Sequence, residues 1–330
     1  MPAPVTILIP NFNGAALLEA CIASALGQSL APATVLVMDD ASTDDSPQRA
    51  VELGAQVLAL SENRGFAHAV NCGVRESSTE WVAIINSDVT LGREWLELLL
   101  DAARISQASY ACGPITRSDQ REILDGGYDL LSRAACPWRA GSGFPLSELR
   151  EPDGFWLPSF TALLIRRDVF LETGSLDETF GSYLEDVDFA LRLLTMGRRG
   201  VFIPSAWASH QGSATFGAWS PRATRLQSRN QLLLVARHYP IGWVRAFGRA
   251  VLAGQLLWGL LALRRGVFGA WLAGKFDAAR IWKRVRRSST PLDPIWLASR
   301  LAACERGILE WQGHPPRDAY WRWYFRLAGG

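Results

Sequence analysis

Cysteine is scarce in this sequence, and its few cysteines form no recognisable pattern. The chain has five in 330 residues: Cys21, Cys72, Cys112, Cys136 and Cys304. They are scattered, odd in number and contain no C-x-x-C pair, so neither a zinc site nor a disulfide framework is expected. This usage predicts a protein of a reducing compartment.

Several motifs that would define a function class are also missing. There is no G-x-x-x-x-G-K-[ST] and no G-x-G-x-x-G, so a P-loop kinase or a dinucleotide-binding fold has no direct support. We find no internal repeat and no low-complexity segment. No signal peptide is expected, because the apolar run Val5–Pro10 is short and has no basic segment before it.

Long hydrophobic runs are absent as well. Within residues 237–330 the longest uncharged run is Ala250–Leu263, whose 14 residues would be roughly 21 Å long as a helix. The hydrocarbon core of a bilayer is about 30 Å thick, so this run is not expected to cross a membrane unaided.

Charge is nearly balanced overall but divided along the chain. Residues 1–236 carry 18 arginines and 27 acidic residues, a net charge of −9, whereas residues 237–330 carry 16 basic and 5 acidic residues, a net charge of +11. Eight of the 14 tryptophans lie in the basic part. This composition predicts that the tail meets an anionic partner.

A membrane surface is the partner that the tail favours. Helices with Trp, Leu and Phe on one face and basic residues on the other bind the membrane interface, and Lys283–Arg287 is typical of a lipid-facing basic cluster. The alternative is a helical subdomain that packs on the body or forms an oligomer contact.

The first part of the chain contains a regular alternation of strands and helices. Four apolar, β-branched runs predict buried strands, each separated from the next by a segment with helical character: Val5–Pro10, Thr34–Met38, Val57–Leu60 and Trp81–Ile85. This alternation predicts a three-layer α/β domain with a mostly parallel sheet. Later segments predict further elements: strands at Ser109–Ile115, Ala162–Ile165 and Val201–Pro204, and a helix at Val187–Met196.

Polar groups follow several of these elements. They are Asp39-Asp40, Asn86-Ser87-Asp88, Glu185-Asp186 and His210. A parallel sheet brings successive strand ends to one edge, so the first two groups should share a crevice. A carboxylate near a histidine could hold a divalent ion that neutralises a departing diphosphate, and another carboxylate could accept a proton. Each group alone also fits a structural role, as a turn, a helix cap or a buried histidine.

In order and spacing, the motifs resemble those of the inverting family-2 glycosyltransferases of the GT-A fold, especially bacterial rhamnosyltransferase-like members. The similarity covers about residues 4–240 and rests on seven motifs: Ile9–Gly14, Met38–Asp44, Asn63–Ala67, Asn86–Asp88, Phe180–Asp188, His210–Ser213 and Arg229–Asn230. It implies a GT-A domain over residues 1–240, with a nucleotide-binding half (1–115) and an acceptor half (116–240). Residues 241–330 would form a helical extension that associates with a membrane or packs on the rest.

The resemblance also implies roles for individual residues. The nucleotide-sugar site would comprise Pro10, Asn11, Asn13, Asp39, Asp40, Asn63, Arg64, Asn71 and Ser87. Within it, Asp40 would accept a hydrogen bond from N3–H of uracil or thymine. Asp88 and His210 would hold Mg²⁺ or Mn²⁺, with Asn86 as a weaker neighbour because many relatives have Asp there. Asp186 would be the general base, and Glu185 and Trp156 would bind the acceptor.

The implied activity is metal-dependent, inverting transfer of a sugar, with rhamnose favoured. A dTDP- or UDP-sugar would be the donor, and a saccharide or polyprenyl-linked saccharide of cell-surface polysaccharide synthesis the acceptor. The expected location is cytoplasmic, peripheral on the inner face of the cytoplasmic membrane. No nucleic-acid partner is expected, and an oligomer is left open.

Two other function classes stay open at this point. A nucleotidyltransferase would share the fold and a metal carboxylate, although Asn11–Gly14 lacks the basic residue of a triphosphate loop. A catalytically silent sugar-binding or scaffold protein is kept open by Asn86 and by Ser159–Thr161, where relatives have a Gly-containing segment.

Overall fold

The computed structural model describes residues 2–212 and 219–329, and these form two compact units. The first unit contains the chain up to Tyr128, Gly141–Glu151, and the stretch from Pro158 to the gap. The second unit contains Asp129–Ala140, Pro152–Leu157 and the chain after the gap.

The described residues contain thirteen strands and eleven α-helices. The strands are β1 (Ala3–Asn11), β2 (Pro32–Asp39), β3 (Gln56–Ala59), β4 (Trp81–Ile85), β5 (Val89–Leu91), β6 (Tyr110–Cys112), β7 (Ile115–Arg117), β8 (Leu124–Gly126), β9 (Asp129–Leu131), β10 (Pro137–Arg139), β11 (Ala162–Arg166), β12 (Gly200–Phe202) and β13 (Ala208–His210). The helices are α1 (Ala15–Leu26), α2 (Ser46–Glu52), α3 (Phe66–Glu76), α4 (Trp95–Ile105), α5 (Arg167–Glu172), α6 (Glu185–Thr195), α7 (Pro221–His238), α8 (Trp243–Arg264), α9 (Phe268–Arg287), α10 (Pro294–Gln312) and α11 (Ala319–Ala328).

A seven-stranded sheet forms the centre of the first unit, in the order β12-β6-β11-β4-β1-β2-β3. Strand β1 pairs in parallel with β2 and β4, and β2 pairs in parallel with β3. Strand β11 is antiparallel to both of its neighbours, β4 and β6. The sheet is therefore mixed but mostly parallel, as the alternation of elements predicts.

Helices cover both faces of this sheet. Ile7 and Ile9 of β1 share a buried cluster with residues of α1 and α4, while Leu8 between them meets α3. A Cβ added at Gly73 of α3 would lie 2.3 Å from Leu8 Cδ1, so a larger residue there would force the leucine side chain to shift. The three-layer arrangement thus follows from a strand that is apolar on both sides.

A second sheet of the first unit was not anticipated. It has four short strands in the order β5-β13-β7-β8. The segment Ser109–Ile115, predicted as one strand, divides at Gly113-Pro114 into β6 of the large sheet and β7 of the small one. The strand breaks at this dipeptide for two reasons. Pro114 has no backbone N–H to donate to a neighbouring strand, and Gly113 lies against the backbone of Ala206.

The second unit is mostly helical. Helices α7 and α9 pack together, as do α8 and α11, with the β9–β10 hairpin against α10. Arg133 Nε lies 2.7 Å from Glu305 Oε2, and the Tyr324 hydroxyl donates to Glu305 Oε1 at 2.5 Å. These contacts place residues 129–140, together with α7, in a unit that the sequence predicted to begin at residue 241. The functional division at residue 240 stays a prediction.

Candidate active site

The first group of polar residues, Asp39-Asp40, lies in a hydrogen-bonded turn at the end of β2. Asp39 is buried and accepts hydrogen bonds from the Ser42 backbone N–H (2.9 Å), the Ser42 hydroxyl (2.6 Å) and Asn11 Nδ2 (2.9 Å). Asn13 Oδ1 accepts from the Thr43 backbone N–H at 2.8 Å. This network holds the first two strand ends together at the carboxyl edge of the sheet.

Asp40 connects this turn to the start of α3. Its Oδ1 accepts from the Arg64 backbone N–H at 2.9 Å, and its Oδ2 accepts from the Gly65 N–H at 2.7 Å. Asp40 is itself buried. The carboxylate therefore has a single fixed orientation, with one further lone pair on each oxygen.

The start of α3 in turn contacts the turn that precedes α6. Ala67 N–H donates to Gly181 O at 2.9 Å, and a Cβ added at Gly65 would lie 3.1 Å from the same oxygen. Gly65 also has a φ of 92°, which favours glycine. Backbone contacts within the first unit therefore connect the loop before α3, which is predicted to bind the sugar donor, with the turn that leads to the predicted base.

Asp88 lies directly after β4, in a turn that leads into β5. It is buried, and helix α4 begins only at Trp95 with Glu94 at its N-cap position. The helix-cap alternative for Asp88 is therefore excluded. The neighbouring Asn86 donates its backbone N–H to Thr161 O at 3.0 Å, while its buried Oδ1 accepts no hydrogen bond.

His210 reaches Asp88 through the small sheet. In the antiparallel pairing of β13 with β5, His210 lies opposite Val89, and Gln211 N–H donates to Asp88 O at 3.0 Å. His210 Nε2 is then 3.2 Å from Asp88 Oδ1. Ser213, the last residue of this motif, lies outside the described residues.

A residue that the sequence did not single out completes this group. Asp125 Oδ2 lies 2.7 Å from His210 Nδ1, on the opposite side of the ring from Asp88. Asp125 belongs to β8, inside a Gly-, Pro- and Arg-rich segment without clear periodicity. No local signal in the sequence distinguishes it from the chain's other surface aspartates.

The donor atoms present fit a hard divalent cation that keeps open positions for phosphate oxygens and water. They are the Asp88 carboxylate and His210 Nε2. Asn86, two residues before Asp88, has a buried Oδ1 without a hydrogen-bond partner. Across residues 2–212 and 219–329, no group of three or more His, Cys, Asp or Glu side chains could by itself hold a metal ion. A site with few protein ligands is the type that Mg²⁺ occupies together with a substrate diphosphate.

The predicted base lies on a strained turn. Tyr183 and Leu184 have φ values of 69° and 65°, in the left-handed region that residues other than glycine rarely adopt. They lead directly into Glu185 and Asp186, the first two residues of α6. Strain of this kind is retained where the surrounding structure fixes it, and it is common at active sites.

Glu185 and Asp186 have different environments. The Asp186 side chain is partly exposed, and its Oδ1 accepts from the Val187 N–H at 2.8 Å. Glu185 is 6% exposed and its Oε2 has no hydrogen-bond partner. Burial, together with the charges of Asp186 and Asp188, raises the pKa of Glu185 well above its ordinary value. Asp186 is thus the better placed of the two to meet a substrate hydroxyl.

The remaining predicted residues surround these groups or lie elsewhere. Asn71 fixes the loop before α6, since its Nδ2 donates to Leu176 O at 2.9 Å, and Arg64 pairs with Glu178 at 2.8 Å. Asn63 is exposed, Ser87 is half-buried and Pro10 is buried. Trp156 is buried in the second unit and is not among the groups that the first unit brings together.

Comparison with known proteins gives a consistent result. A sequence model described as "Glycosyl transferase family 2" matches residues 6–174. N-acetylglucosaminyl-diphospho-decaprenol L-rhamnosyltransferase of Mycobacterium tuberculosis is 30% identical over 268 residues, which cover 72% of this chain and 86% of that protein. Pre-mycofactocin glycosyltransferase of the same organism is 30% identical over 233 residues, covering 66% of this chain and 45% of that protein.

Solved structures show the same fold at low sequence identity. Mannosyltransferase PcManGT from Pyrobaculum calidifontis, in complex with GDP-Man and Mn²⁺, has a TM-score of 0.53 at 18% identity, covering 99% of this chain and 88% of that one. GalNAc-T7 with UDP, GalNAc and Mn²⁺ has a TM-score of 0.59 at 14% identity, covering 90% and 56%.

Proposed function

The chain belongs to glycosyl transferase family 2, and from that membership we propose that it is a metal-dependent, inverting enzyme acting on a nucleoside diphosphate sugar. Its family and its GT-A fold make it a glycosyltransferase, so the nucleotidyltransferase and the silent-scaffold alternatives are set aside. The observation that carries the finer proposal is the approach of His210 Nε2 to Asp88 Oδ1, at 3.2 Å, beside the carboxyl edge of the sheet.

In the proposed reaction, the acceptor hydroxyl attacks the anomeric carbon as the diphosphate leaves. Asp186 accepts the hydroxyl proton, since it is partly exposed and is fixed at the first turn of α6. Asp88 and His210 would hold the divalent ion, which when bound neutralises the charge of the leaving diphosphate. Asn86 would contribute its free Oδ1 to the same place.

For the donor we propose a dTDP- or UDP-sugar, with rhamnose favoured. Asp40 is compatible with a pyrimidine base, because its fixed carboxylate can accept a hydrogen bond from N3–H of uracil or thymine. The choice of rhamnose is supported by the relative from M. tuberculosis, which is described as an L-rhamnosyltransferase. That relative's name also describes an N-acetylglucosaminyl-diphospho-decaprenol substrate, which supports a polyprenyl-linked acceptor here.

A lipid-linked acceptor requires access to a membrane surface, and we propose that α8 and α9 supply it. Leu252, Leu256 and Leu260 form one stripe of α8 and are each 54–62% exposed. Phe268, Leu272 and Phe276 form a corresponding exposed stripe on α9. We name these six residues the apolar stripes. Exposed basic residues follow on α9: Arg280, Lys283, Arg284 and Arg287.

The apolar stripes and the basic residues together suit an anionic membrane interface. Helix α8 has 22 residues, so the 14-residue uncharged run is part of a longer helix that is, by length and composition, able to span a bilayer. Arg245 and Arg249 lie in its first two turns. We therefore place α8 along the interface, peripheral to the membrane, rather than across it.

Replacing the base tests the proposed reaction directly. Asp186→Asn should lower the transfer rate by at least about a hundredfold, the usual contribution of a general base, while donor binding is retained. Binding would be measured by thermal shift with dTDP-rhamnose, UDP-glucose and GDP-mannose in the presence of Mn²⁺. Transfer would be measured to a polyprenyl-diphosphate-linked N-acetylglucosamine.

The matched control is Asp101→Asn, an exposed aspartate of α4. It should leave both measurements unchanged. Near-normal turnover of Asp186→Asn would contradict the assignment of the base. Stabilisation by GDP-mannose alone would contradict the proposed nucleotide.

A further inference from the structure

Asp125 contacts the edge of the His210 ring that points away from Asp88, and it belongs to none of the family motifs. Asp125 Oδ2 is 2.7 Å from His210 Nδ1, whereas His210 Nε2 faces Asp88 at 3.2 Å. The imidazole is therefore held between two carboxylates on opposite edges. It is 7% exposed as a residue, so little water competes for either nitrogen.

The backbone fixes all three side chains in one small sheet. Strand β13 with His210 lies between β5, which follows Asp88, and β7. Strand β8, which carries Asp125, pairs with the other edge of β7. Gly126 of β8 lies opposite Ile115 of β7, and the Leu124 N–H donates to Phe144 O at 2.8 Å. Because β8 is held on both sides, Asp125 has a defined position relative to the ring.

The contact at Nδ1 is the shorter of the two, and it favours one tautomer of a neutral imidazole. When Nδ1 carries the hydrogen that is donated to Asp125, the lone pair of the ring is on Nε2. This lone pair then faces the Asp88 oxygen. Because Nε2 and the carboxylate oxygen are both electron-rich, their proximity favours a cation between or beside them. Histidine ligands of metal ions generally donate their other N–H to a carboxylate or carbonyl in this way.

We propose that Asp125 is the positioning residue of the metal site, acting through His210. The inference rests on the proposed function, because it takes Asp88 and His210 as the metal ligands. Asp125 would touch neither the substrate nor the ion. Its effect would be to orient the ring, to keep the lone pair on Nε2 and to increase the basicity of that nitrogen.

Metal affinity, measured without substrate, is the direct test. Mn²⁺ alone would be titrated into the full-length protein, and the free ion would be followed by its EPR signal. Loss of a partner of this kind typically lowers metal affinity 10–100-fold. We expect Asp125→Ala to weaken Mn²⁺ binding by that factor and Asp125→Asn to weaken it less, since its carbonyl can still accept from Nδ1. Asp119→Asn, an exposed aspartate just before β8, is the matched control and should bind as the wild type does.

A double-mutant cycle separates positioning from general damage to the fold. In a His210→Ala background, Asp125→Ala should cause no further loss of Mn²⁺ affinity, because the residue through which it acts is gone. A full additional loss in that background would overturn the inference, as would wild-type Mn²⁺ affinity of Asp125→Ala. Unchanged thermal unfolding of the metal-free single variants shows that the sheet is intact. If the unfolding temperature of Asp125→Ala differs from that of the wild type, the Mn²⁺ affinity of Asp125→Asn decides between the outcomes.

The same experiment distinguishes failure of the inference from failure of the proposed function. If neither His210→Ala nor Asp88→Ala changes Mn²⁺ affinity, the proposed metal site is wrong and Asp125 has no site to position. If both lower it and the Asp125 variants do not, the metal site stands and only the role of Asp125 is refuted.

Discussion

At the scale of single residues, the most unusual group is Glu185. It is buried beside Asp186 and Asp188, and its Oε2 has no partner. Asp188 is also fully buried but is compensated by Arg192, whose Nη2 lies 2.8 Å from Asp188 Oδ2. Glu185 has no such cation in the described contacts, and this difference explains why burial raises its pKa. We propose that it contacts the acceptor with a carboxyl group whose pKa is raised, so that it keeps its proton to higher pH than an ordinary glutamate.

This environment makes a prediction about stability and pH. A carboxyl group whose pKa is raised by folding stays protonated in the folded state while the unfolded state has already lost the proton. It therefore costs stability as the pH rises above its ordinary value of 4.5. Glu185→Gln removes that cost. We expect its melting temperature to exceed that of the wild type by roughly 2–4 °C at pH 8, about 1 kcal/mol for a protein of this size.

At pH 4 the advantage of Glu185→Gln should largely disappear, because both states of the wild type are then protonated. Glu76→Gln, at an exposed position on α3, serves as the control and should show no such dependence. Calorimetry at the two pH values measures both variants. An equal shift at both values would show that Glu185 is charged in the folded protein.

At the scale of elements, the passage from β6 to β7 decides where His210 lies. The chain leaves the large sheet at Cys112 and enters the small sheet at Ile115. Ile203 N–H donates to Cys112 O at 2.8 Å, and Ala208 N–H donates to Pro114 O at 3.0 Å. The segment leading to β13 is therefore tied to both ends of this passage.

Gly113 is the position at which this passage has no space for a side chain. A Cβ there would lie 2.0 Å from Ala206 O and 2.8 Å from Ile203 O, both backbone atoms. We expect Gly113→Ala to destabilise the protein by about 1–3 kcal/mol, the range for overpacking, as a loss of melting temperature. Gly269→Ala is the control, because nothing lies within 4 Å of the added atom. Equal stability of the two variants would show that the strands can separate without cost.

At the scale of the whole molecule, composition and structure divide the chain in similar ways. The acidic residues belong mainly to the unit that carries the candidate active site, and the basic, Trp-rich segment forms most of the second unit. The apolar stripes of α8 and α9 remain uncovered within that second unit. An exposed apolar surface flanked by basic residues is typical of an interaction surface, and we propose a membrane as its partner because the proposed acceptor is lipid-linked.

Vesicle flotation tests this partner. Replacing Leu252, Leu256 and Leu260 with Ser should lower partitioning onto phosphatidylcholine–phosphatidylglycerol vesicles by about tenfold or more, because three exposed leucines no longer enter the interface. High salt should weaken binding of the wild type, since the basic residues contribute. Ile105→Ser is the matched control, because Ile105 is 85% exposed in the first unit. Equal partitioning of the Leu variant and the wild type, at unchanged circular dichroism, would refute the membrane surface.

Much of the fold could be predicted from the sequence because its signals are local. The runs at Val5–Pro10 and Trp81–Ile85 are apolar on both faces, which predicts buried parallel strands, and they are β1 and β4. The predicted family and the GT-A fold are confirmed. The roles given to individual site residues stay predictions, as do the nucleotide and the metal.

The sequence by itself determined the order of β1 to β4 and the helices between them, the family and the carboxylates after β2 and β4, because these depend on periodicity and on residues close in the chain. Only the tertiary structure decided which distant side chains meet. Asp125 and His210 are 85 residues apart and come together through pairings of three-residue strands that are too short to give a periodic signal. The segment 129–140 likewise joins the second unit through Arg133 and Glu305, a contact made by side chains 172 residues apart. Long-range pairing depends on the energy of the whole packed chain, and no local pattern records it.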